Sequence, residues 1–344
     1  IYGTYMYQLN LNTSFTGEDN LYTRIKTGNN ASGTHFVDSG DGTYLSAGNK
    51  NGDTLKVDKL WYQFPIGDSL QVWVGPKIEN YYMLASSASI YRPITKQFAN
   101  GPNGSAYGSS TSPGFGAAWT QATEDPSDAR FALSMGYTAK DGASSTLGLS
   151  NEESRSFLLT KVEYGSPRWQ VSAAMAKKNV PATATTAQSN TTNGYDGYYH
   201  TAAAKATTGD LTAYGLRAYW KPETTGAIPE VQVGYDFGTY DEASSGEAED
   251  IAGWMVGLGW RDVLVDGNSA GFAYGSRMAA TSYKGNSATE DPSEDNKVWE
   301  AYYTFKVNDG VSVTPAVFGG SDIGNTATES YDINGAVLLT EFKF

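Results

Sequence analysis

The chain reads as an all-β protein, a transmembrane antiparallel β-barrel of about 16 strands. Three observations lead there. Apolar and polar residues alternate with period two from one end to the other. The connections between these stretches sort strictly into short and long. Aromatic residues collect beside the short connections.

The alternation is explicit. Leu9, Leu11, Thr13 and Phe15 interleave with Gln8, Asn10, Asn12 and Ser14, and Phe131, Leu133, Met135 and Tyr137 with Ala132, Ser134 and Gly136. Such a pattern gives each strand one apolar face and one polar or small face. It places strands at 6–15, 20–28, 54–64, 70–78, 113–123, 129–140, 154–164, 168–178, 210–221, 229–240, 250–261, 269–283, 296–306, 311–320 and 331–344. Their lengths are close to the ~9–11 residues that cross a bilayer at a tilt of about 45°. No helical periodicity of useful length occurs.

The short connections are 16–19, 65–69, 124–128, 165–167, 222–228, 262–268 and 307–310; the long ones are 29–53, 79–112, 141–153, 179–209, 241–249, 284–295 and 321–330. One end of the sheet is trimmed and the other elaborated, the form of outer-membrane barrels with short periplasmic turns and long external loops. Phe15, Phe64, Trp119, Tyr164, Trp169, Trp220, Trp260, Phe305 and Phe344 mark the trimmed end and are expected to form an interfacial girdle in outer-membrane lipid. The opposite strand faces are rich in Gln, Asn, Ser, Gly, Arg and Lys. Burying them dry would leave unsatisfied groups at roughly 1–3 kcal/mol each, so a water-filled interior is expected.

Composition narrows the function. With no cysteine there are no disulfides or thiolate sites, and His35 and His200 are the only histidines. The net charge of -13 argues against nucleic-acid binding. No run of ~18–20 apolar residues could form a membrane helix. Both histidines fall in long connections, away from any nucleophile motif, so no enzyme, cofactor or metal is expected. The acidic groups Asp241, Glu242, Glu247, Glu249 and Asp250, and Asp291, Glu294 and Asp295, read as a solvated rim rather than as cation sites.

Several stretches resemble the Som-type porins of cyanobacteria: "LNLNTSFTGEDNLYTRIKTGN", "KLWYQFPIGDSLQVWVG" at 59–75, "AYYTFKVNDGVSVTPAVF" at 301–318, and the closing "LLTEFKF" at 338–344. Together they cover about a fifth of the chain, in order. The resemblance implies a homotrimeric diffusion channel of the bacterial outer membrane. Family members usually carry an N-terminal S-layer-homology domain that reaches peptidoglycan, and the sequence in hand shows neither it nor its helical stalk. Sugar-selective and iron-uptake roles mentioned for the family are not transferred to this chain.

Two features carry the functional expectation. The 34-residue connection 79–112 contains Tyr81, Tyr82, Met83, Leu84, Ile90, Tyr91 and Phe98, too apolar to dangle in water. It is expected to fold into the barrel and narrow it; an external flap against a neighbouring subunit is the alternative. Strand parity turns Arg24, Lys26, Lys77, Arg217 and Arg277 inward, and with Glu79, Arg92 and Lys96 these are the expected pore-lining residues. The expectation is a porin for passive diffusion of ions and small hydrophilic solutes, in one domain over 1–344. A substrate-specific sugar or iron channel, or a plugged structural barrel, are the alternatives. Fourteen connections join fifteen strands, whose first and last run the same way. A sixteenth strand is therefore expected upstream of Ile1.

Overall fold

The computed structural model describes residues 1–30, 43–49, 51–102, 104–108, 111–179, 200–201, 204, 209–285, 296–323 and 331–344. Sixteen antiparallel strands form one sheet. They are β1 (Met6–Thr13), β2 (Asn20–Gly28), β3 (Lys56–Ile66), β4 (Leu70–Ile78), β5 (Ser112–Thr120), β6 (Arg130–Ala139), β7 (Ser156–Ser166) and β8 (Trp169–Asn179). Then follow β9 (Leu211–Trp220), β10 (Glu230–Tyr240), β11 (Ala248–Arg261), β12 (Ser269–Gly275), β13 (Ala279–Tyr283), β14 (Lys297–Asn308), β15 (Val311–Ser321) and β16 (Ile333–Phe342). Neighbours in sequence are neighbours in the sheet, as short hairpins require, with one exception. β12 and β13 both pair with β11, at Met255↔Gly275 and Ala252↔Ala279, separated by residues 276–278. The expected strand 269–283 is thus two strands, which both lie beside β11 and leave fifteen positions on the path from β1 to β16. The hydrogen-bonded path runs from β1 to β16.

Register fixes the faces. Along most of β5, β6 and β10 buried residues alternate with more accessible ones, as over Gln232–Tyr240. Phe115, Trp119, Phe131, Leu133, Val162, Trp169, Val171, Leu216 and Trp220 are exposed on the outer face. The inner face carries Ser134, Lys161, Glu163, Arg217, Asp236 and Glu300, all buried. An exposed apolar skin over a charged interior inverts the arrangement of a water-soluble protein.

The short turns are tightly organised. Asp19 closes 14–19, accepting from Phe15 N (2.9 Å), Thr16 N (2.8 Å), Ser14 Oγ (2.7 Å), Thr16 Oγ1 (2.8 Å) and Tyr62 Oη (2.7 Å). These bonds, the tyrosine's foremost, hold its carboxyl well below the usual carboxylate range. Every expected girdle ring lies at this end: Trp169 pairs with Trp220, Trp119 with Leu70, Phe64 with Val72, Trp260 with Ala270, and Phe305 with Val313. At the long-loop end Asp141 binds Arg155 through two bonds of 2.6 and 2.9 Å, which keep its carboxyl below the usual range.

Candidate pore constriction

Segment 79–112 lies against the inner face of the sheet, held by inward side chains of β6, β7, β8, β9, β10 and β14 and, at its ends, of β2 and β3. Ala85 N donates to Ser134 Oγ on β6 at 2.9 Å. On β7, Lys161 Nζ donates to Ser86 O (3.0 Å) and Oγ (2.9 Å), while Ser86 Oγ donates to Glu163 at 2.8 Å. Lys178 on β8 donates to Gly108 O at 3.2 Å. Arg217 on β9 donates to Asn100 O (2.8 Å) and Pro102 O (3.2 Å) and pairs with buried Asp236. Gln232 on β10 accepts from Ile90 N at 3.0 Å. Glu300 on β14, with no exposed surface, accepts four bonds: Tyr91 Oη (3.0 Å), Ile94 N (2.9 Å), Thr95 N (2.8 Å) and Thr95 Oγ1 (2.7 Å).

Glycine on the wall makes room for this packing. A Cβ at Gly234 would stand 1.6 Å from the Gly101 carbonyl oxygen, and one at Gly257 would stand 2.9 Å from the ring of Tyr91. Of the apolar side chains that make 79–112 unsuited to water, Met83, Leu84, Tyr91 and Phe98 are buried here.

A second long connection joins it. Ser46 N donates to Ile94 O at 2.7 Å and Lys96 N to Tyr44 O at 2.8 Å, and the Lys96 amine sits 4.0 Å from the centre of the Tyr44 ring. The alternation pattern gives 29–53 only as one of the long connections. Tyr44 and Thr43 are buried there, a contact of which the sequence pattern carries no sign.

The β1–β3 wall is different. Gln8, Asn10 and Asn12 pair with Lys26, Arg24 and Tyr22, so all six share the inner face. Arg24 binds Asp58, a residue exposed to the interior by a bulge in β3, and donates to Tyr82 Oη at 3.2 Å. Lys59 pairs with Glu79 at 2.6 Å, and Thr111 Oγ1 donates to the same carboxylate at 2.9 Å. Rings stack beside these ions: Tyr22 on Trp61 (4.2 Å between centres), Trp61 on Tyr82 (4.9 Å), Tyr82 on Tyr81 (4.7 Å).

Of the expected pore-lining residues, Arg24 and Lys26 face inward, Glu79 is neutralised by Lys59, and Lys96 lies beside Tyr44. Arg92 is exposed at a cavity of about 210 Å³ that it shares with Glu230, Gln232, Arg261 and Tyr302. Arg217 faces inward but is buried in its pair with Asp236. Two expectations are corrected. Lys77 follows a bulge after Gly75 and pairs with Leu60, which is on the outer face between inward Lys59 and Trp61; the extra residue reverses the parity that had put Lys77 inside. Arg277 lies in the break between β12 and β13, fully buried, donating to His200 O (2.6 Å) and Ile323 O (2.9 Å). It ties loops together and does not line a channel. His200 Nε2 is 2.8 Å from Ser105 Oγ in a buried contact. His35, Asp291, Glu294 and Asp295 lie outside the described residues. In the remaining acidic run, Asp250 accepts from Thr239 and Ser282 at 2.7 Å and Glu249 pairs with Lys284 at 3.0 Å. Among the described residues no group of three or more His, Asp or Glu side chains could hold a metal.

A scan against protein-family models finds no match, and neither does a search of curated protein sequences. Solved structures do match. OprB of Pseudomonas putida superposes with a TM-score of 0.60 at 12% identity, over 98% of this chain and 87% of that one. A mutant of the Rh. blastica porin superposes with a TM-score of 0.52 at 10% identity, over 99% and 90% of the two chains. At these identities the likeness is one of fold: the chain has the sixteen-stranded barrel of the porins.

Proposed function

We propose that the chain is an outer-membrane diffusion channel, a porin that passes ions and small hydrophilic solutes and performs no catalysis. The observation that carries this reading is the placement of 79–112 along the inner face from β6 to β14. It fills part of the interior while the polar wall of β1 and β2 keeps accessible side chains. A segment that narrows a polar interior without filling it makes a constriction. The exposed apolar skin and the rings at the short-turn end support a bilayer setting, with those turns on the periplasmic side. Within this reading the protein is a Som-type porin of the cyanobacterial outer membrane and a homotrimer, with no cofactor. Contact with peptidoglycan would need an N-terminal region outside this sequence. The test is planar-bilayer recording of the purified protein: stepwise ohmic conductance is expected, and a silent protein would favour a plugged structural barrel.

The ring stack Tyr22–Trp61–Tyr82 beside the Arg24–Asp58 pair favours a second reading, a channel selective for sugars, whose apolar faces lie on aromatic rings while hydroxyls bind the ions. Saturable block of the current by one sugar would distinguish it from general diffusion.

A further inference from the structure

Three neighbouring inward positions on β11 and β12 are glycines. Gly257 pairs with Gln232, and Gly259 with Glu230 on one side and Gly271 on the other. Rings fill two of the three gaps. A Cβ at Gly257 would stand 2.9 Å from the Tyr91 ring, and one at Gly271 would collide with the ring of Tyr302. Above Gly259 nothing lies nearer than 3.9 Å, where the first atom is a carboxylate oxygen of Glu230. This gap belongs to the cavity of about 210 Å³ at the short-turn end, bounded from the segment side by Ile90, Tyr91 and Arg92. Pockets for drug-sized ligands take ~300–1,000 Å³, so a smaller solute suits this one.

Four charged residues line the cavity: Arg92, Arg261, Glu230 and Asp262. Arg261 holds Glu230 through two bonds of 2.9 and 3.2 Å. Asp262 accepts from Gly267 N and Thr225 Oγ1, both at 2.8 Å. Arg92 is different. Its guanidinium makes no ion pair or hydrogen bond among the described residues, and the Tyr302 hydroxyl makes no hydrogen bond among them either. A guanidinium fork matches the two oxygens of a carboxylate. Glu230 keeps 14% of its side chain exposed, with lone pairs left over for a further donor. Two bases and two acids balance, so a solute carrying both signs can engage Arg92 without leaving the cavity with an uncompensated charge.

We propose that this cavity binds a small free α-amino acid, with its carboxylate on Arg92 and the Tyr302 hydroxyl and its ammonium on Glu230. The site names a solute class for the channel read above and rests on that reading. It lies on β10 to β14, apart from the ring stack of β2 and β3.

The experiment compares L-alanine with L-lactate, which has the same shape and carboxylate but a hydroxyl for the ammonium. Block of the single-channel current in planar bilayers and saturation-transfer NMR on the purified protein are both measured, for the parent, Arg92→Ala, Glu230→Gln and the outer-face control Lys77→Gln. Heat-modifiable migration in gels shows that each variant keeps its barrel. L-alanine should block saturably, at a concentration about tenfold below that of L-lactate. Arg92→Ala and Glu230→Gln should each raise that concentration about tenfold, as expected for loss of a hydrogen bond to a charged group, and Lys77→Gln should leave it unchanged. A conducting parent that neither binds nor is blocked by L-alanine, an equal response to L-lactate, or an unchanged Arg92→Ala overturns the amino-acid site and leaves the channel standing. A silent parent whose saturation transfer from L-alanine is lost in Arg92→Ala supports the site and overturns the channel reading.

Discussion

Two parts of the same inner wall use charge in opposite ways. From β6 to β14 the inward ions are buried and each is engaged: Lys161 with Glu163, Arg217 with Asp236, and Glu300 with four donors. On β2 and β3 Lys59 is buried in its pair with Glu79, while Lys26 and Lys56 are cross-strand partners with accessible side chains. Alternation in sequence is the same on both. What differs is how much of segment 79–112 lies on the strand: its middle covers β6 to β14, whereas only its ends, through Glu79, Tyr82 and Thr111, reach Lys59 on β3 and Arg24 on β2. Inward parity alone therefore says nothing about function; coverage decides it.

The largest break in this contrast should come from Glu300→Ala. It leaves Tyr91 Oη, Ile94 N, Thr95 N and Thr95 Oγ1 without their acceptor in a site closed to water. Buried donors left unmade cost about 1–3 kcal/mol each, so a loss of about 3–5 kcal/mol is expected after partial relaxation. Urea unfolding of the refolded protein measures it. Because the segment is released from β14, single-channel conductance should also rise and become noisier; an unchanged trace would mean that the segment does not limit the pore.

Next is Arg217→Met, which strands Asp236 with no exposed surface. A buried charge without its partner costs about 3–5 kcal/mol, whereas replacing both members is often neutral. The double variant Arg217→Met, Asp236→Leu should recover most of the stability in the same assay but not the two bonds to the Asn100 and Pro102 carbonyls, so its conductance should remain altered. Full recovery of both properties would remove Arg217 from the set that positions the segment.

These two residues also mark how far the sequence could be read. Fourteen of the fifteen alternating stretches are single strands within a few residues of their expected ends, because side-chain period and face are local properties; the other, 269–283, is two. The departure of 79–112 from loop composition was equally visible, through Tyr81, Met83 and Phe98. Glu300 and Asp236 were not, since each is an unremarkable inward acid until the segment lies on it. Lys77 was misplaced because a bulge adds one residue without any sign in the pattern, and Arg277 because the break at 276–278 interrupts an otherwise continuous strand. The entry of 43–49 beside Thr95 depends on a contact between two loops, which no period encodes.

On the open wall the effects on stability should be smaller and the effects on transport more specific. Tyr22→Ala removes one ring from the stack on Trp61 while leaving the backbone ladder intact. An aromatic pair contributes about 0.5–1.5 kcal/mol beyond its area, so a loss of about 1 kcal/mol is expected. If the stack receives sugars, block by sugar should weaken while the ohmic current persists. Block that is unaffected would take the stack out of the solute path and leave general diffusion as the better reading.

The smallest effect should be that of Lys77→Gln, and its smallness is the point. Lys77 and Lys26 have the same chemistry, lie near the same long-loop end and were assigned to the lumen by the same parity. The register now separates them: Lys77 opposes Leu60 on the outer face, while Lys26 opposes Gln8 and Lys56 on the inner one. An exposed lysine on the outer surface makes no ion pair among the described residues, and a surface substitution of this kind usually changes stability by no more than ~0.5 kcal/mol. Conductance and reversal potential should both stay within error of the parent, whereas Lys26→Gln should move the reversal potential toward potassium. Equal shifts for the two glutamine variants would mean that the bulge after Gly75 does not reverse the strand, and that the boundary between the open wall and the outer face lies elsewhere.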